Sequence, residues 1–141
     1  MSTLIINGTS SSTVTVLAAA AYTTTQTSDI YHIDQASMVF IEVDVTAASG
    51  TSPTLDVYLQ TELPDGTNYA DIAAFTQITG VARRAMSFVS GGNSEYLVTT
   101  ATLTAGTMRP HTLGKFCRIV AKIGGTNPSF TMSINLMGLV G

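Results

Sequence analysis

His32 and His111 are the only histidines in this chain of 141 residues. A histidine between a hydroxyl and a carboxylate would activate a nucleophile, and Ser and Thr together supply 36 hydroxyls. With so many, a chance Ser/His/Asp combination is unavoidable, and catalysis needs a geometry that abundance does not supply. No Gly-x-Ser-x-Gly elbow is present. His32 reads as an ordinary strand residue, so no enzymatic activity and no cofactor are expected. Glu42, Asp44 and Asp56 would gather on the outer face of a hairpin, where their oxygens suit a hard cation. No Asp-x-Asp-x-Asp-Gly loop accompanies them, and a solvated face that discourages edge pairing is the simpler reading. Arg118 and Lys122 lie on a second, similar segment. Opposite charges on the two segments would pair across a subunit boundary, setting register more than affinity. Arg83-Arg84 and Arg109-Pro110-His111 are the local basic concentrations, suited to a phosphate or an acidic surface, or simply to keeping an edge soluble. Cys117 sits in an apolar strand and reads as a small core side chain. Asn7-Gly8-Thr9 is a chance match to a glycosylation acceptor. Tyr22, Tyr31, Tyr58, Tyr69 and Tyr96 would line a sugar groove, but with no Trp in the chain scattered structural tyrosines are the simpler expectation.

The elements that position these residues are short β-strands. β-Branched and aromatic runs alternate with Gly, Pro, Asn and Asp, the all-β pattern. Candidate strands are Thr13 to Ala19, Ser28 to Asp34, Met38 to Thr46, Thr54 to Thr61, Asn68 to Phe75, Arg84 to Val89, Glu95 to Leu103, Leu113 to Ile123 and Ser129 to Leu136. The clearest is Met38 to Thr46, where Val39, Ile41, Val43 and Val45 face one way and Phe40, Glu42, Asp44 and Thr46 the other. Leu55, Val57 and Leu59 answer them inward, with Asp56, Tyr58 and Gln60 outward. Ile119, Phe130, Met132 and Ile134 complete the expected core. Ala70 to Ala74 suits either a strand or one helical turn. Pro64-Asp65-Gly66 predicts a turn, because Pro presets φ and Gly permits positive φ.

One phrase occurs twice. Gly50-Thr51-Ser52-Pro53-Thr54-Leu55-Asp56-Val57 returns as Gly125-Thr126-Asn127-Pro128-Ser129-Phe130-Thr131-Met132. Each copy follows one apolar run and opens another, which predicts the same β-hairpin used twice. The expected architecture is a single antiparallel β domain over residues 13–141, a sandwich, jelly roll or small barrel, preceded by a polar, flexible N-terminal arm over residues 1–12.

Composition narrows the function classes. Only 11% of residues are charged, against ~25% in ordinary soluble domains. A folded monomer of 14.7 kDa exposes about 7,000 Å², so fifteen charges cover it sparsely. Either a Ser/Thr-coated sheet or burial against partners keeps such a surface soluble. A net charge of −3 without a basic stripe gives nucleic acid no electrostatic footprint. A single Cys excludes an internal disulfide framework. Met1-Ser2-Thr3 lacks a basic leader, and Val14 to Ala21 is too short to span a bilayer. No membrane role is expected, and assembly in a cytoplasm is.

The stretch from Val43 to Gly80 includes Val43-Asp44-Val45-Thr46-Ala47-Ala48-Ser49-Gly50-Thr51-Ser52-Pro53, Pro64-Asp65-Gly66-Thr67-Asn68-Tyr69 and Gln77-Ile78-Thr79-Gly80. With Gly124-Gly125-Thr126-Asn127-Pro128-Ser129-Phe130, it resembles small β-rich virion proteins of tailed bacteriophages, some of them head decoration (cement) proteins. The family often carries Trp where Tyr69 stands, and it brings no catalytic motif. The resemblance implies a β-sandwich or jelly roll that oligomerises on a virion surface, made in the host cytoplasm. A decoration protein would bind the major capsid protein and itself, as a homotrimer on threefold positions. Its expected contact residues are Glu42, Asp44, Asp56, Arg118 and Lys122, with Ser2, Thr3 and Leu4 of the arm. The alternative is a tail or fibre component, including a receptor- or carbohydrate-binding module.

Overall fold

The alternating run that begins at Met38 forms a strand, but that strand does not turn back at Gly50. The computed structural model describes residues 2–4, 12–33, 37–89, 91, 95–109 and 114–139. They form eight strands: β1 (Ser2–Leu4), β2 (Ser12–Tyr22), β3 (Gln26–Thr27), β4 (Ile30–His32), β5 (Met38–Glu62), β6 (Tyr69–Ala74), β7 (Ala82–Val89) and β8 (Phe116–Leu139). All join one open sheet, and there is no helix among the described residues. Pairing is antiparallel except between β1 and β4. β5 and β8 form its spine, paired from Met38–Leu139 to Thr61–Cys117. β7 flanks the first half of β5 and β6 the second. β2 flanks the C-terminal half of β8, and β3 and β4 its N-terminal half.

The two copies of the repeated phrase are therefore not two hairpins. They meet each other at the middle of the spine, with Thr51 opposite Thr126. A shift of 75 residues (Gly50 to Gly125) carries one copy onto the other. The same shift converts the pair Ser49–Ser129 into Thr54–Gly124, and Ala48–Phe130 into Leu55–Ile123, so the crossing has a local twofold. Backbone conformation repeats too, with φ of 110° at Gly50 and 111° at Gly125, and 49° at both Ser52 and Asn127. Pro53 and Pro128 have no amide hydrogen to donate, and the ladder shifts register on both sides of the Thr51–Thr126 pair before it continues. Glycine is required for space as well as φ: a Cβ on Gly50 would lie 2.6 Å from the Asn127 carbonyl oxygen, and one on Gly125 2.8 Å from that of Ser52. A hairpin needs a chain reversal. Here each irregular stretch lies opposite the other, and both strands pass through.

All eleven residues expected in the core are buried and belong to one cluster, joined by Tyr31, Ile33, Ile72, Phe75, Ile78, Met86, Phe88 and Leu136 among others. Burial of each such side chain contributes roughly 1.5–3 kcal/mol. β6 resolves the choice at Ala70–Ala74 in favour of a strand, because every residue from Tyr69 to Ala74 is buried on β5. The turn before it is the expected one: Gly66 donates to the Leu63 carbonyl (2.9 Å) with φ 73°. Asp65 accepts from the Thr67 and Asn68 amides at 2.9 Å.

Three expectations need correction. Glu95 to Leu103 is not a strand; it crosses the outer side of β5 and β6 irregularly. Tyr58 and Gln60, expected to face outward, are consequently buried, Tyr58 in a second small cluster with Ala74, Leu103 and Val120. The segment expected as an arm contributes Ser2–Leu4 as β1, beside Ile30–His32, and Ser12 as the first residue of β2. Residues 5–11 lie outside the described residues.

Candidate functional surface

The outer face of the β5–β7 half carries Phe40, Glu42 and Asp44. Strand register sets Ser87, Ala85 and Arg83 beside them on β7, and Met137, Asn135 and Ser133 on β8. Arg83 donates from Nε and Nη2 to Glu42 Oε2, both at 2.9 Å. This pair is largely exposed, which limits its stabilisation to about 0–1 kcal/mol. Asp44 lies opposite Arg83 in the ladder. Next to the ion pair is a shallow depression of about 220 Å³ lined by Thr13, Phe40, Glu42, Asn135, Leu136 and Met137. Phe40 remains 41% exposed there.

Asp56 is on the other half of β5, directly opposite Lys122 on β8 of the same chain. Neither depends on the other: Asp56 accepts from Gln77 Nε2 (3.1 and 3.3 Å), and Lys122 Nζ donates to the Ala101 carbonyl (3.2 Å). Arg118 is held internally, with Nε donating to Gln60 Oε1 at 2.7 Å and the guanidinium 4.3 Å above the Tyr69 ring. Of the charged residues expected at a subunit boundary, Asp56, Arg118 and Lys122 lie on one half of the β5–β8 ladder, and Glu42 and Asp44 on its other half, with Arg83 beside them on β7. Ser2, Thr3 and Leu4 are placed on β1.

Sequence reasoning passed over the most connected carboxylate, Asp71. It is fully buried on β6. One oxygen accepts from Gln60 Nε2 and the Ala101 amide, both at 2.8 Å. The other accepts from Thr99 Oγ1 (3.0 Å) and from the amides of Thr102 and Leu103 (3.1 Å each). Burial raises its pKa, but donors from Gln60, Thr102, Ala101 and Thr99 more than offset that and hold the carboxyl below its ordinary value. Arg109 donates to the Asp71 carbonyl (3.1 Å) and stacks 4.3 Å over Tyr96. Residues 99–109 are bound along β6 as well: Asp71 donates to Thr99, Ala74 to Thr107, Arg109 to Ile72, and Gly106 to Ala74 and Phe75. An ionised carboxylate with all its acceptor positions engaged is an anchor, not a proton carrier. The available signal was a lone Asp among small apolar residues in Tyr69-Ala70-Asp71-Ile72-Ala73-Ala74.

His32 is half-buried and stacked on Phe116, with centroids 4.9 Å apart. His111 lies outside the described residues. Cys117 is fully buried, its thiol pushed up to about 12 by burial. Glu42, Asp44 and Asp56 do not converge: no group of three His, Cys, Asp or Glu that could hold a metal ion occurs among the described residues. The geometry defines an all-β protein on one open, mainly antiparallel sheet. Compared with family models, curated proteins and solved structures, the chain gives no match.

Proposed function

We propose that this chain is a structural protein of a bacteriophage virion, a capsid decoration protein that binds and stabilises the major capsid protein lattice. The observation that carries the reading is the central crossing. The two phrases on which the phage resemblance rests are the matched halves of one architectural feature, with the same φ angles and reciprocal close contacts. The sparse surface charge also supports it, since such a surface suits burial against a neighbour. In this reading the sheet folds at the crossing into two layers, a sandwich. Two observations favour the folded sheet. Val39, Ile41, Val43 and Val45 and the distant Leu55, Val57 and Leu59 are all buried in one cluster without a helix among the described residues to cover them. Met86 of β7 lines one cavity with Ala74 and Phe75, although β7 and β6 do not pair. The protein acts as a homotrimer at threefold lattice positions, where many weak contacts hold it by avidity.

Cryo-electron microscopy of intact particles tests this reading. Density for the chain on the head lattice at threefold positions is expected. Density at the tail tip or fibres, with a bare head, would replace it with the tail or receptor-binding alternative.

A further inference from the structure

The strand edges of this sheet are not equally protected. β6 is covered by residues 99–109, which take up its outer hydrogen-bonding groups. β2 is interrupted by register shifts between Thr15 and Leu17 and between Leu17 and Ala20, and such bulges discourage further pairing. β1 and β3 have three and two residues. β7 differs. Over eight residues it pairs with β5 without a shift, from Met38–Val89 to Val45–Ala82, and among the described residues it pairs with β5 alone. It contains no Pro. Its outer face is Arg83, Ala85, Ser87 and Val89, and the alternation extends one residue back to Val81. Val81 and Val89, at the two ends of this edge, are 72% and 65% exposed.

We propose that β7 is a self-association edge, pairing antiparallel with β7 of a second copy so that Ala85 lies opposite Ala85. The sequence of the strand favours this register. It sets Val81 of each copy against Val89 of the other and covers both pairs. Arg83 faces Ser87, and on the other face Arg84 faces Met86, so no like charges are directly opposed. Arg83 is already neutralised by Glu42. A register displaced by two residues one way would oppose Arg83 to Val89 and leave Val81 uncovered; displaced the other way it would set Val81 against Ser87 and leave Val89 uncovered; and one displaced by a single residue would put side chains on opposite faces. The contact is isologous, as a twofold requires. It does not depend on the decoration reading; in a ring of three it would leave one β7 per subunit to join a neighbouring ring.

Single-cysteine crosslinking of the full chain tests it. The native Cys117 is buried and its thiol is pushed up to about 12, so it contributes no background. Directly opposed cross-strand residues fall within disulfide range. Under mild oxidation Ala85→Cys is expected to double its apparent mass on a non-reducing gel. Ser87→Cys, displaced from its own symmetry mate, should stay at the wild-type mass. Adding Val81→Lys and Val89→Lys to Ala85→Cys opposes like charges and should abolish the dimer. All variants are to match the wild type in circular dichroism. Folded Ala85→Cys that remains monomeric overturns the proposal. So does a dimer formed equally by Ser87→Cys, or one that survives the two lysines.

Discussion

Asp71 shows how one side chain can hold a segment with no regular structure of its own. Its five donors include three consecutive backbone amides, Ala101 to Leu103, and Ala101 adopts φ 56° to present them. Asp71→Asn keeps the shape but turns an NH₂ group toward at least two donors in either orientation. We expect a loss of about 3 kcal/mol, measured by denaturant unfolding, with faster amide exchange across residues 99–109. The pH dependence has a definite sign. The folded-state pKa is lowered relative to the unfolded chain, so the stabilisation is present above the unfolded value of about 3.9 and is lost as pH falls through the folded value. Thermal scans from pH 6 to pH 2 should show a steep acid loss in the wild type and a shallower one in Asp71→Asn. Cys117 gives a second test at this scale. With its thiol buried and its pKa about 12, native protein at pH 8 should resist alkylation, and denatured protein should react fully.

At the scale of elements, the crossing of β5 and β8 makes a quantitative claim about symmetry. Gly50→Ala and Gly125→Ala each impose a positive φ near 110° on a residue with a Cβ and drive that Cβ into the facing carbonyl. Each should cost more than about 2 kcal/mol, and the two costs should be similar because the environments are. Denaturant midpoints check this. A large effect at one glycine and none at the other would mean that the local twofold is not energetic. The same local chemistry explains why the repeated phrase suggests hairpins where the strands in fact cross. Glycine, two polar residues and proline between two apolar runs suit a crossing as well as a turn, and only the partner opposite distinguishes them.

For the whole molecule, the proposed arm and lattice contacts can be separated from folding. Among the described residues Ser2–Leu4 pair with the three residues of β4 alone, a small part of a sheet whose spine is β5 and β8. Deletion of residues 2–11 should leave the far-UV spectrum and the main unfolding transition close to wild type while weakening association with particles, measured by co-sedimentation. A collapse of stability would instead make the segment part of the folded unit. Retained particle binding would remove it from the interface. Glu42, Asp44 and Arg83 share an exposed face suited to such contacts. Arg118 is already engaged with Gln60 and Tyr69, so Arg118→Ala should lower stability.

The all-β class and the core are legible in the order of residues alone. Val39, Ile41, Val43 and Val45, and the later set from Leu55 to Ile134, carry their burial in a period of two, which is a local property of an extended chain. So is the turn at Asp65, which depends on neighbours two or three residues away. Long-range contacts make the repeated phrases cross instead of forming hairpins, cover Gln60 and Tyr58, and make Asp71 an anchor. They also bring Glu42 to Arg83, Asp56 opposite Lys122 and Gln60 to Arg118, all partners distant in sequence. Periodicity records which face of a strand is apolar. It does not record which strand lies alongside or what covers the other face, because those depend on contacts between residues dozens of positions apart.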